Sequence, residues 1–217
     1  MRAGWAQSLL AAALMLGAST IAAAQGANTA LDRYLDGLSS WQADFSQSIL
    51  DARGKRRESQ SGKLIIERPG KFRWEVGAKG AGLEPEQLMV ADGRNLWFYD
   101  RDLEQVTVKP IGLALTATPA LLLTGMTPIR ESFEVIERGS RDGLAWVAVV
   151  PRSVDAEFRE ARLGFAGADL RRMELDDKLG QRTLLVFSSS RRNAKLPAET
   201  FSFTVPAGAD LIGTAVP

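Results

Sequence analysis

Arg68, Phe72 and Trp74 stand on even-numbered positions of the string RPGKFRWEV, which otherwise reads as an ordinary strand. A guanidinium offers five N–H donors in a planar fork and no acceptor, so on an apolar face it costs several kcal/mol, roughly, unless oxygens meet it. The phenyl and indole rings beside it supply apolar area rather than reactivity. Even positions from Leu64 to Val76 share one face (Leu64, Ile66, Arg68, Phe72, Trp74, Val76), and odd positions carry Lys63, Glu67, Lys71, Arg73 and Glu75. With no carboxylate on the neighbouring even positions, helix-terminal or loop carbonyls are the acceptors left for Arg68. One physical reading is that it fastens a helix over the mouth of a curled sheet; the other is a solvated arginine at a strand end. The shared parity holds if Pro69-Gly70 is a kink or bulge, and becomes unreliable if it is a tight turn.

Other reactive chemistry is scarce. The chain has no cysteine and no histidine, which removes thiolate nucleophiles, disulfides, imidazole bases and the commonest zinc and copper ligands. Serine is present without a G-x-S-x-G elbow or a convincing lysine partner, so no catalytic residue, metal site or cofactor is expected and the chain is read as a non-enzyme. The 27 basic and 26 acidic residues nearly balance, against electrostatic binding to nucleic acid or anionic membranes.

The elements that position these residues begin after a leader. Arg2, the apolar run from Leu9 to Leu16 and the small residues Ala22 and Ala24 read as a secretory signal peptide over 1–24. Residues 25–217 then form one expected soluble domain without a lipid-accepting cysteine. Leu31, Tyr34, Leu35, Leu38 and Trp41 recur every three or four residues, predicting a helix with one apolar stripe, capped by Asn28 or Thr29.

The period then falls to two. Strands are predicted near 44–50, 61–68, 71–76, 87–91, 95–100 and 105–109, and again at 133–137, 144–150, 158–165, 170–176, 182–188 and 200–205. Between the two sets, Thr118 caps a short helix opened by Pro119 and closed near Gly125, whose consecutive Leu121, Leu122 and Leu123 demand cover. Tight turns between strands imply antiparallel neighbours. The fold class expected is mainly β: a closed or partly open antiparallel barrel with two helical segments over one opening or face. LWFY at Leu96 to Tyr99 is apolar on both faces, so both sides are covered there or one lines a cavity.

FSQSI (45–49), RPGKFRW (68–74), ADGRNLWFYDRDLEQ (91–105) and FSFTVPAGADLI (201–212) together resemble the LolA family of outer-membrane lipoprotein carrier proteins of Gram-negative bacteria, over essentially all of 25–217. The resemblance implies an incomplete antiparallel barrel with a helical lid, and an apolar cavity that carries lipoprotein acyl chains across the periplasm. It implies that Arg68 bonds to the lid as a latch, that Phe72 sits near the mouth and that Trp74 lines the interior. Phe45 and Val76 join them in the acyl-chain cavity. Leu31, Leu35 and Leu38 from the helical stripe, with Leu121 and Leu122 from their own apolar run, are expected to form the apolar face of the lid. Segments 81–85 and 119–125 depart from the family pattern, and no family role is carried onto them.

The partners implied are triacylated lipoproteins, an inner-membrane ABC-type lipoprotein-releasing complex and an outer-membrane acceptor, met by a monomer. Physics makes the task intelligible, since an acyl chain of ~15 methylenes costs roughly 12 kcal/mol to expose to water. The alternatives are a carrier of another envelope lipid or glycolipid on the same fold, and a domain that presents its sheet to a protein partner.

Overall fold

The computed structural model describes residues 28–77, 84–113 and 120–217. The expected leader over 1–24 and the cap at Thr118 and Pro119 lie outside the described residues, as does the side chain of Leu121.

Thr29 starts the first helix, α1 (Ala30–Leu35), through a capping box: its own N–H donates to Asp32 Oδ2 at 2.8 Å and the Asp32 N–H donates to Thr29 Oγ1 at 3.2 Å. The helix is shorter than the apolar stripe suggested. Gly37, at φ +60°, turns the chain, Leu38 is buried in the connection, and Trp41 belongs to the first strand. Trp41, Ala43 and Phe45 alternate inward there, so the three-residue step from Leu38 to Trp41 was not helical periodicity.

Twelve strands form one sheet: β1 (Ser40–Leu50), β2 (Arg56–Glu67), β3 (Lys71–Val76), β4 (Gln87–Asp92), β5 (Asn95–Asp100), β6 (Gln105–Pro110), β7 (Phe133–Arg141), β8 (Leu144–Pro151), β9 (Phe158–Ala166), β10 (Asp169–Asp177), β11 (Arg182–Arg192) and β12 (Asp210–Gly213). Their spatial order is β12-β6-β5-β4-β3-β2-β1-β11-β10-β9-β8-β7, with β12 and β7 as the two edges. The barrel is therefore incomplete. Between β6 and β7 the described residues include a 3-10 turn (Ile111–Leu113) and two short α-helices, α2 (Ala120–Leu123) and α3 (Ile129–Ser132), and α3 was not anticipated. A continuous cluster of buried side chains joins the concave face of the sheet to α1 and α2.

Three expectations about strands fail. The segment 200–205 is no strand: a 3-10 turn at Ala198–Phe201 follows Pro197, and extended chain leads to Pro206. The last strand is instead β12, and it pairs parallel to β6 in a sheet otherwise antiparallel. β2 begins at Arg56 rather than 61, because its exposed polar start overhangs β3 and pairs only with β1.

RPG is a tight turn, with a cis Arg68–Pro69 peptide, rather than a kink. The even residues nevertheless share a face, because the hairpin sets Ile66 opposite Phe72, Leu64 opposite Trp74 and Gly62 opposite Val76. LWFY is covered on both sides. Leu96 pairs with Ala91 in the core, whereas Trp97 and Tyr99 face out and pack on Phe203 at ring separations of 5.4 and 6.4 Å.

Candidate functional site

Arg68 lies just beyond β2, where its N–H donates to Ser39 O at 2.8 Å. Its Nη1 donates to Leu35 O at 2.8 Å and reaches Leu38 O at 3.5 Å, the carbonyls at and beyond the end of α1. Leu35 O also accepts a turn bond from the Leu38 N–H at 3.2 Å, and the end of a helix, with its carbonyls outward, favours a cation. On its other side the guanidinium lies over Gly125, whose φ is +66°; a Cβ there would collide with Arg68 Nη2. The Gly70 N–H donates to Thr124 O at 3.0 Å. The β2–β3 turn thus holds both lid helices, α1 through a side chain and the end of α2 through its backbone.

A second attachment comes from the far end of β11. Arg192 Nη1 donates to Tyr34 O at 2.9 Å and Nη2 to Asp36 O at 3.4 Å, with the guanidinium 5.0 Å from the Tyr34 ring centroid. Asn193 Nδ2 donates to Gly37 O at 2.9 Å, while its Oδ1 accepts from the Ser39 N–H. Each carbonyl from Tyr34 to Leu38 therefore meets a side-chain donor, two from Arg68 and three from β11 and its end. Sequence reasoning missed Arg192 and Asn193; the signal available was RRN at 191–193, just past the strand predicted over 182–188.

At the other end of α1, Arg130 of α3 pairs with Asp32 at 2.7 Å. Burial works against ionisation of Asp32, but hydrogen bonds from Thr29 and the charge of Arg130 outweigh it and hold the carboxyl below its usual range.

Beneath the lid the sequence-predicted apolar residues come together. Phe45, Phe72, Trp74 and Val76 from the sheet meet Leu31, Leu38 and Leu122 from above, all in one cluster, with Leu35 partly buried against it. Phe45 and Trp74 pack edge to face at 5.3 Å. Gly62 makes this possible: a Cβ there would stand 2.6 Å from Phe45 Cζ, so only a bare backbone lets the ring lie across β2. Leu31 and Phe72 are fully buried, and side chains of this size gain about 1.5–3 kcal/mol each on burial. A six-residue helix has little stability of its own, so packing and the arginines hold α1 down.

Open grooves lie elsewhere. One of about 460 Å³ is lined by residues including Leu50, Asp51, Arg159 and Arg182, and one of about 130 Å³ by residues including Gln42, Lys63 and Arg191; both are polar and neither is under the lid. Among the described residues, no helix is long and apolar enough to cross a membrane, and no group of three or more acidic, His or Cys side chains is placed to hold a metal.

Comparison with known proteins agrees with this architecture. The sequence profile of the family described as outer membrane lipoprotein carrier protein LolA matches residues 36–204. A protein named outer-membrane lipoprotein carrier protein from Dechloromonas aromatica is 42% identical over 189 residues, covering 87% of this chain and 88% of its own. One of the same name from Chromobacterium violaceum is 42% identical over 204 residues, covering 94% and 95%. In fold, the chain is similar to a conserved protein from Thermus thermophilus, with a TM-score of 0.52 at 18% identity over 84% of this chain and 96% of that one. A half-open, lidded sheet, a matched profile over most of its length and relatives at this identity establish that the chain belongs to the LolA family of outer-membrane lipoprotein carrier proteins.

Proposed function

We propose that the protein is a periplasmic carrier that accepts lipoproteins released from the inner membrane, shields their acyl chains on the concave face beneath α1 and α2, and delivers them to an outer-membrane acceptor. The observation that carries this reading is the Arg68 joint: a guanidinium bonded to the carbonyls of a short helix that covers an otherwise continuous apolar face. The names of the relatives support it. In this reading residues 1–24 are a secretory leader, residues 25–217 are one carrier domain acting as a monomer, and no catalysis, cofactor or metal is involved. Its protein partners are an ABC-type releasing complex upstream and the acceptor downstream.

The lid and the cargo compete for one face. Closure buries Leu31, Leu38 and Leu122 and satisfies Arg68, whereas loading gives up those contacts in exchange for the acyl chains. Fully enclosing three chains, at roughly 12 kcal/mol each, would exceed the practical ceiling of roughly 18–21 kcal/mol for non-covalent binding and forbid release, so partial cover and the lost lid contacts keep the loaded state ready for transfer.

Incubating residues 25–217 with vesicles that hold a labelled triacylated lipoprotein and an active releasing complex, then adding ATP, tests this. The expected result is label in a soluble one-to-one complex that passes to acceptor-bearing vesicles. Label that stays in the vesicles, while a known carrier extracts it, would sink the reading; binding of a free glycolipid instead would move it to another envelope lipid.

A further inference from the structure

Three buried polar atoms on the lidded side have no hydrogen-bond partner among the described residues: Tyr34 Oη, Trp41 Nε1 and Trp74 Nε1. Their residues are 0, 1 and 6% exposed and belong to the apolar cluster. The other two tryptophans among the described residues make an internal comparison. Trp97, facing out, donates to Asp92 Oδ2 at 2.9 Å, and Trp146, outside the cluster, donates to Arg141 O at 3.1 Å. Only the indoles under the lid lack an acceptor. A phenylalanine would fill such positions without leaving a buried N–H unmade, so donors here need a reason beyond packing.

The ladder fixes where the two sheet-borne donors stand. Trp41 lies opposite Ile66, which lies opposite Phe72; Trp74 lies opposite Leu64, which lies opposite Ala43. The two tryptophans are thus two strands apart and one inward-facing step apart along the sheet, about 12 Å between backbones. Tyr34 sits above on α1, its ring 6.3 Å from that of Trp41. Indole is a donor only, so its complement is an acceptor. In an apolar site a neutral acceptor is favoured over a carboxylate, whose burial without a cation is costly.

We propose that Trp41 and Trp74 donate hydrogen bonds to carbonyl oxygens at the ester or amide linkages of an acylated guest, so that the concave face reads the acyl linkage as well as the hydrocarbon. This rests on the carrier reading above. It also gives the orphan donors a role in the cycle: they are unpaired when the lid is closed over an empty face and paired when the guest is in place, opposing the arginines that favour closure. Tyr34, carried on the lid, leaves with it; its hydroxyl weakens the closed state without touching the guest.

The test compares two synthetic triacylated lipopeptides of equal chain length, one with ester-linked chains on its glyceryl unit and one with ether links there, by calorimetry on residues 25–217. The protein as it stands is expected to prefer the ester form by on the order of tenfold. Trp41→Phe and Trp74→Phe should each erode that ratio, and the double variant should bring it near one. A change in packing moves both affinities together and leaves the ratio alone. Tyr34→Phe should weaken both lipopeptides alike and raise the melting temperature. Equal affinity of the unaltered protein for ester and ether, or a ratio untouched by the tryptophan variants, would overturn the inference while leaving the carrier reading standing. Binding of neither lipopeptide would overturn both.

Discussion

Arginines organise two regions of this molecule in different ways. Over the concave face, Arg68 and Arg192 donate to backbone carbonyls of α1 and the residues after it. On the strands β9 to β11, Arg162 bonds Glu174 and Asp176, each at 2.9 Å, and lies 3.3 Å from Glu160, while Arg141 at the end of β7 and Arg182 of β11 add further bonds to Glu174 and Asp176. The second arrangement ties strand to strand inside one sheet and joins charge to charge. The first ties a short helix to the sheet through uncharged acceptors, which water can replace at modest cost once the helix lifts. A carboxylate in place of those carbonyls would make opening far more costly; the choice of acceptor sets which joint can move.

Removing both lid arginines should break the comparison most completely. Arg68→Leu with Arg192→Leu forfeits charge-assisted bonds worth about 3 kcal/mol or more in the closed state. Lipid should be held at least a hundredfold more tightly, by about 1.4 kcal/mol per decade, and pass to acceptor vesicles correspondingly more slowly. Arg68→Leu alone should give the larger share, since its guanidinium also lies over Gly125. Transfer kinetics indistinguishable from the unaltered protein would take the arginines out of the cycle.

Arg162→Met should act on the other region alone. Its guanidinium is largely buried among Glu160, Glu174 and Asp176; burial works against its charge, but Asp176 and Glu174 outweigh it and hold the proton more firmly than usual. Losing it should cost about 2 kcal/mol of unfolding free energy, less than a fully buried pair because Arg141 and Arg182 still serve two of the carboxylates. Denaturant midpoints should fall while lipid transfer stays the same; slower transfer would show that the two regions are coupled.

Gly125→Ala sharpens the lid side. A methyl group overlapping Arg68 Nη2 must push the guanidinium aside, and alanine at φ +66° adds about 1 kcal/mol of strain. The variant should reproduce part of the Arg68→Leu delay in transfer, with Arg68 still present.

These two regions were not equally legible in the sequence. Strand alternation placed Phe72, Trp74 and Val76 on one face, the resemblance added Phe45, and the lack of a nearby carboxylate pointed Arg68 at carbonyls. Arg192 escaped because its acceptors are also backbone carbonyls, 156 and 158 residues away, and a carbonyl leaves no trace in residue type. β12 escaped for another reason. All four of its residues are exposed, so it has no alternation, and its parallel partner β6 lies about a hundred positions earlier. The short extent of α1 was hidden because Leu38 and Trp41 continue its apolar spacing by coincidence after Gly37 has ended it. Burial pattern carries the core well; joints made by backbone acceptors, and edges without a buried face, are silent.

Acid separates the regions last and most gently. Asp32 and Asp176 both ionise below the ordinary value of 3.8: burial opposes ionisation in each, and hydrogen bonds from Thr29 with the charge of Arg130, or from Arg182 and Arg162, outweigh it. A carboxyl with a depressed folded pKa contributes stability that is fully present above its unfolded value and lost as pH falls through the folded one. Stability from both residues should therefore be level between about pH 5 and 8 and decline below about 4. Asp176 meets two arginines and Asp32 one, so Asp176→Asn should remove more of the acid limb in thermal melts than Asp32→Asn. The carbonyl acceptors of Arg68 and Arg192 do not titrate, and the lid joint should keep its strength across the whole range above about pH 5. Lipid transfer that changes within that range would mean that a titrating group, not a carbonyl, receives the lid arginines during the cycle.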